Sequence, residues 1–147
     1  MNRFLKSIVT GIIAGAAGAL INGAAIEAVK RAGLRPGTGG LARLVFGHNL
    51  GPVGAEVFHF AMGIGMATTY MVFVRDLLPG PGWIRGLIFV QLPGIAQLFW
   101  VLPATGHGVA GVAISPATPF LAWALNALFG VVFGAIGGAP QRKGAYR

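Results

Sequence analysis

The chain has 147 residues, of which 55% are apolar and only 10% charged, whereas a soluble domain carries about 25% charged residues. The polar shell of a water-soluble fold is therefore missing, and the chain reads as a polytopic membrane protein. Eleven Lys and Arg against three acids give a formal charge of +8 with no cysteine, which excludes disulfides, thiolate metal ligands and cysteine nucleophiles.

Four segments hold the ~18–20 apolar residues needed to cross a ~30 Å hydrocarbon core, at about 7–29, 53–74, 83–103 and 116–138. The pattern predicts an all-α, four-helix transmembrane bundle forming one domain over residues 1–147, because lipid offers no partner for backbone polar groups outside helices and closed barrels. The first span follows Arg3 and Lys6, as in a signal peptide. Its apolar run exceeds the usual h-region of ~7–15 residues, so it is expected to be a retained helix. Span 1 carries Gly11, Gly15, Ala19 and Gly23 at every fourth position. Removing side chains along such a stripe lets backbones approach closely.

Loop 1 holds Lys30, Arg31, Arg35 and Arg43. Its stretch 41–46 reads either as an amphipathic segment in the headgroup zone or as a solvated basic loop. Span 2 opens at Pro52 and carries His59, Gly63 and Ala67, which match Pro119, Asn126, Gly130 and Gly134 of span 4 at a constant offset of 67. That match suggests two tandem helical hairpins related by an axis along the membrane normal. Span 3 contains Pro93, which is expected to kink it and free the carbonyl of Phe89. Span 4 adds Gly138 to its small-residue stripe. The stripes serve either packing within the chain or docking of another subunit or copy. Basic residues flank the spans as in the positive-inside pattern, with Arg75 and Arg85 in loop 2 and Arg142, Lys143 and Arg147 in the tail. Cytoplasmic termini place seven of these charges inside and the four of loop 1 outside.

Polar side chains within spans are scarce. With that topology Asn22, His59, Gln97 and Asn126 all lie at ~10 Å depth from the outer ends of their spans, at ~1.5 Å rise per residue. Glu27 and Glu56 come one turn nearer the outer surface, and Glu56, His59 and Gly63 share one helical face. These six polar residues define a candidate ligand or proton pocket, since intramembrane ionisable groups are expensive and point to function. The structural alternative pairs Glu27 with Arg31, sets Glu56 against Arg35 or Arg43, and uses the amides as glue between helices.

Several chemistries fail on inventory. A di-iron bundle needs two Glu-x-x-His steps and two more glutamates, and only Glu56–His59 is present. No catalytic set and no required metal or cofactor emerges. A single metal on Glu56, His59 and a loop histidine (His48 or His107), a haem on His59 with a loop histidine or a methionine such as Met62 or Met66, and a quinone near His59 stay open. Ser7 and Ser115 do not form a triad with the histidines and Asp76. The run 106–111 spells a dinucleotide fingerprint without the preceding strand or following acid. No module for nucleic acid is present.

The landmarks His59–Gly63, Leu78-Pro79-Gly80, Arg85-Gly86, Pro103, Gly106-His107-Gly108 and Phe129–Gly134 resemble those of small four-helix bacterial inner-membrane proteins of the YagU-like group. The resemblance implies a bundle in the bacterial cytoplasmic membrane and no known reaction. Members of the group carry a histidine where this chain has Asn126, so a paired-histidine role is not carried over. The function expected is a non-catalytic accessory or assembly subunit of a larger respiratory or photosynthetic complex, with lipids and other membrane subunits or a second copy as partners. The alternatives are a small carrier or proton-linked conduit using Glu56 and His59, and quinone or haem binding near His59.

Overall fold

The computed structural model describes residues 2–138, and every regular element among them is helical. The tail charges Arg142, Lys143 and Arg147 lie outside the described residues. The α-helices are α1 (Arg3–Arg31), α2 (Gly40–Phe46), α3 (Pro52–Thr69), α4 (Gly82–Ala96), α5 (Leu102–Ala104) and α6 (Thr118–Gly137). A π turn over Tyr70–Val74 and a 3-10 turn over Arg75–Leu77 extend α3, and a π turn over Gln97–Val101 joins α4 to α5. Four helical stretches are thus long and apolar enough to cross a membrane: Arg3–Arg31, Pro52–Leu77, Gly82–Ala104 and Thr118–Gly137.

Local chemistry explains the helix ends. The Asn2 side chain accepts from the Leu5 N–H at 2.8 Å and caps α1, satisfying one orphan donor. Lys30 and Arg31 occupy its last turn, where the helix dipole favours cations. Pro52 and Pro119 stand in the first turns of α3 and α6, where a missing N–H costs nothing. The α-helix α4 runs on through Pro93, and its departure from α geometry comes at Gln97, in the π turn.

Consecutive spans form the two most extensive interfaces, α1 on α3 and α4 on α6, and α1 also lies along α6. Both hairpins depend on bare backbone. A Cβ added at Gly15 would fall 2.6 Å from the Ile64 Cα, and one at Gly11 2.5 Å from the Thr68 Cα. In the second hairpin a Cβ at Gly86 would run into the Gly130 carbonyl, and one at Gly82 into Gly134 and Gly138. Ala19 and Ala67 are fully buried, and the bare Gly63 backbone faces the Ala19 methyl. Gly63 and Ala67 in α3 and Gly130 and Gly134 in α6 therefore take corresponding places in their hairpins. The stripes Gly11–Gly15–Ala19 and Gly130–Gly134–Gly138 make close contacts inside the chain.

The end of the bundle that holds Asn2 and Gly138 is here called the terminal end, and the opposite one the distal end. Toward the terminal end the core is closed by Tyr70, Met71, Val90, Phe129 and Phe133, with Phe89 packed against it. The Tyr70 ring sits 5.1 Å from that of Phe133 and 5.4 Å from that of Phe89. At this level the second and third spans meet. Farther toward the distal end α3 and α4 no longer pack on each other.

Loop 1 folds over the distal end. The Thr118 hydroxyl donates to the Arg35 carbonyl at 2.8 Å, and Gly40 and Ala42 of α2 are buried. The Phe46 ring meets Phe58 of α3 edge-on at 5.7 Å, while the bare Gly40 faces Val101 and Thr105. Helix α2 thereby roofs the gap between α3 and α4. Gly39 and Gly47, at φ of 89° and 74°, bound it in a conformation that L side chains disfavour.

Candidate functional site

Beneath α2, between the diverging α3 and α4, lies a cavity of about 760 Å³. That is within the ~300–1,000 Å³ of small-molecule sites. All six residues of the polar layer line it: Asn22 and Glu27 of α1, Glu56 and His59 of α3, Gln97 of the π turn and Asn126 of α6. The spacing of three between Glu56 and His59 puts both on the face of α3 that looks toward α1. There a Cβ on Gly23 would sit 3.7 Å from Glu56 Oε1 and 3.9 Å from His59 Nε2. Gly23 thus differs from the rest of its stripe, because it leaves space for polar side chains instead of bringing two backbones into contact.

The polar groups fall into satisfied and unsatisfied sets. His59 Nε2 donates to the Ala19 carbonyl at 3.2 Å. Asn126 Nδ2 donates to Gln97 Oε1 at 3.3 Å, an amide pair joining α6 to the π turn, as glue of the expected kind. Glu27 accepts from Arg31 at 3.1 Å, with both side chains exposed. Glu56 takes part in no ion pair with a described residue, and neither Arg35 nor Arg43 reaches it. The Asn22 side chain is 8% exposed, and its Oδ1 has no donor among the described residues. Such an acceptor costs ~1–3 kcal/mol while it stays unmatched.

The remaining walls are apolar. Phe58, Met62 and Met66 form one side, Pro93, Ala96 and Trp100 the other, and Leu125 and Phe129 the back. Met62 and Trp100 are 36% and 67% exposed, so the cavity reaches the side of the bundle between α3 and α4. Its terminal end is shut by the Tyr70, Phe89 and Phe133 rings. The result is a vestibule with a polar end, an apolar flank and a single closed floor.

Neither loop histidine joins the site. His48 contacts the Asn49 carbonyl, and His107 meets the Thr105 hydroxyl at 2.8 Å beside a separate cleft of about 400 Å³. No three metal-ligating side chains converge among the described residues, so Glu56 and His59 gain no third ligand from His48 or His107. The glycine run at 106–111 is a turn, with Gly106, Gly108 and Gly111 at φ of 80°, 72° and 82°.

Three polar features escaped the sequence reading. Gln91 lies in span 3, where it accepts from Trp123 Nε1 at 3.0 Å and donates to the Leu87 carbonyl. Arg75, expected as a loop charge, is 5% exposed. It donates to Asp76 at 3.2 Å and to the Gly137 carbonyl at 3.4 Å, while Asp76 also takes Arg3. Tyr70 is fully buried with a hydroxyl that has no partner among the described residues. The adjacent Arg75–Asp76 pair was the one available sign of a buried arginine.

No protein-family model matches the chain, and no curated protein or solved structure matches it either.

Proposed function

We propose that this protein is a non-catalytic, membrane-embedded binding protein for a small amphipathic molecule. The observation that carries the reading is the cavity itself, which joins an apolar flank, reached between α3 and α4, to a polar end made from four spans. A ligand with an alkyl or ring body and a polar head would enter sideways from lipid and present its head to Asn22, Glu56 and His59. The aromatic floor favours binding over a conduit, because the rings of Tyr70, Phe89 and Phe133 pack on one another at the terminal end of the cavity. A neutral quinone is one molecule of suitable shape. The setting we infer is the bacterial cytoplasmic membrane with cytoplasmic termini, which the flanking charges and the YagU-like resemblance support. The cavity then faces the outer leaflet.

Native mass spectrometry of the protein in mild detergent tests this. The expected result is a bound amphiphile on the wild-type chain that is lost from Ala96→Trp, which fills the space beside Gln97. An empty wild-type chain in every preparation would count against it.

Accessory membership in a larger membrane complex is the second reading. The second and third spans bury only 22% of their most apolar windows, which leaves wide faces for lipid or for other subunits. The same preparation reads it out, because a stoichiometric co-purifying subunit supports it and a lone chain opposes it.

A further inference from the structure

We infer that the cavity selects an amphipathic cation, a protonated amine on an apolar body, with its nitrogen held at Glu56. This identifies the ligand class for the site proposed above and rests on that reading. Two of the chain's three acids line this cavity. Glu27 is bonded to Arg31, whereas Glu56 faces the cavity without a cationic partner among the described residues. Glu56 is an exposed residue in the second turn of α3, and its unpaired carboxylate on the cavity lining attracts a cation.

The hydrogen-bonding inventory points the same way. His59 uses Nε2 as a donor to the Ala19 carbonyl, so Nδ1 of the neutral ring is an acceptor. Asn126 gives Nδ2 to Gln97 and keeps its own carbonyl oxygen as an acceptor. Asn22 Oδ1 is buried out of reach of a ligand, and the side-chain nitrogens of Asn22 and Gln97 face the lining as donors. Glu56 is the one unpaired negative charge among these neutral groups, and His59 Nδ1 and Asn126 Oδ1 are acceptors on the same lining for the remaining N–H groups of an ammonium. Lys30 is the one basic residue on the lining, at the distal rim, and it pairs with neither glutamate. It is the group that would instead favour an anionic head.

Three probes with one tail separate these heads: dodecylamine, dodecanol and dodecanoate, each brominated at the terminal carbon. Binding is read as quenching of Trp100, which lines the cavity, in phosphatidylcholine nanodiscs, with the signal of the Trp100→Phe variant subtracted. The amine is expected to reach half-quenching at about tenfold lower concentration than the alcohol, an increment of one ion pair. Glu56→Gln should erase that difference, read as the ratio of amine to alcohol half-quenching concentrations within the variant, while Glu27→Gln should preserve the order. Equal curves for all three probes, or tightest binding of the carboxylate, overturn the cation selectivity and leave an amphiphile site standing. Absence of quenching by any probe overturns the underlying reading as well.

Discussion

His59 and Ala19 are joined by a hydrogen bond from the imidazole Nε2–H to a backbone carbonyl 3.2 Å away on the neighbouring helix. A carbonyl only accepts, so this contact fixes the tautomer and directs the other ring nitrogen away from α1. It also anchors α3 to α1 at the level where Gly23 opens the polar end of the cavity.

Because His59 lines the cavity, a His59→Cys variant of this cysteine-free chain should react with a membrane-impermeant maleimide. Labelling is expected from the distal side alone and should slow when dodecylamine is present. Equal reactivity from both sides of a vesicle would mean that the aromatic floor does not seal the bundle.

Gly86 and Gly65 make a matched pair for the packing of the hairpins. Gly86→Ala places a methyl against the Gly130 carbonyl, and overpacking of this kind costs ~1–3 kcal/mol. Gly65 has no atom within 4 Å of a would-be Cβ, so Gly65→Ala should be neutral or stabilising by up to ~1 kcal/mol through helix propensity. Unfolding titrations in mixed micelles compare the two, and equal effects would refute the close approach of α4 and α6.

Tyr70→Phe removes a buried hydroxyl that has no partner among the described residues and keeps the ring packed against Phe89 and, edge-on, against Phe133. Stability should rise by about 1 kcal/mol, the lower part of the cost of an unmatched buried group. A clear loss on thermal unfolding would reveal a partner for the hydroxyl.

Asp76 serves two arginines of contrasting exposure. Asp76→Asn should cost about 1–2 kcal/mol, because the Arg75 side chain is 6% exposed while Asp76 itself is 53% exposed, between the limits for surface and buried pairs. Arg3→Gln breaks an exposed contact and should cost under ~1 kcal/mol. Reversal of that order in denaturation curves would show that Arg75 does not depend on this carboxylate.

The spans were legible because hydrophobicity over some twenty residues is decided by lipid, with little help from tertiary detail. The polar layer was legible for a similar reason, since depth follows from helical rise and a few polar side chains stand out against an apolar background. What a single helix cannot reveal is which neighbour its bare face meets. Gly15 pairs with Ile64 and Gly63, whereas Gly82 and Gly86, which had not been marked as packing positions, receive Gly138, Gly134 and Gly130. The π turns at Tyr70–Val74 and Gln97–Val101 interrupt apolar runs whose residue pattern does not mark them. Helix α2 was too short for periodicity to separate a roof from a loop. Arg75 read as a loop charge because its burial depends on the distant Gly137 carbonyl.

Helices α1 and α6 form the seam between the two hairpins, where Phe129 lies on the bare backbone of Gly18. Opposite that seam, α3 and α4 stand apart at the distal end. The bundle is therefore built like a book held at its spine. The opening between the covers lies on the side away from the tight glycine contacts inside each hairpin. The cavity of about 760 Å³ occupies that opening, so its space costs the bundle none of the contacts that hold the spine and the two hairpins together.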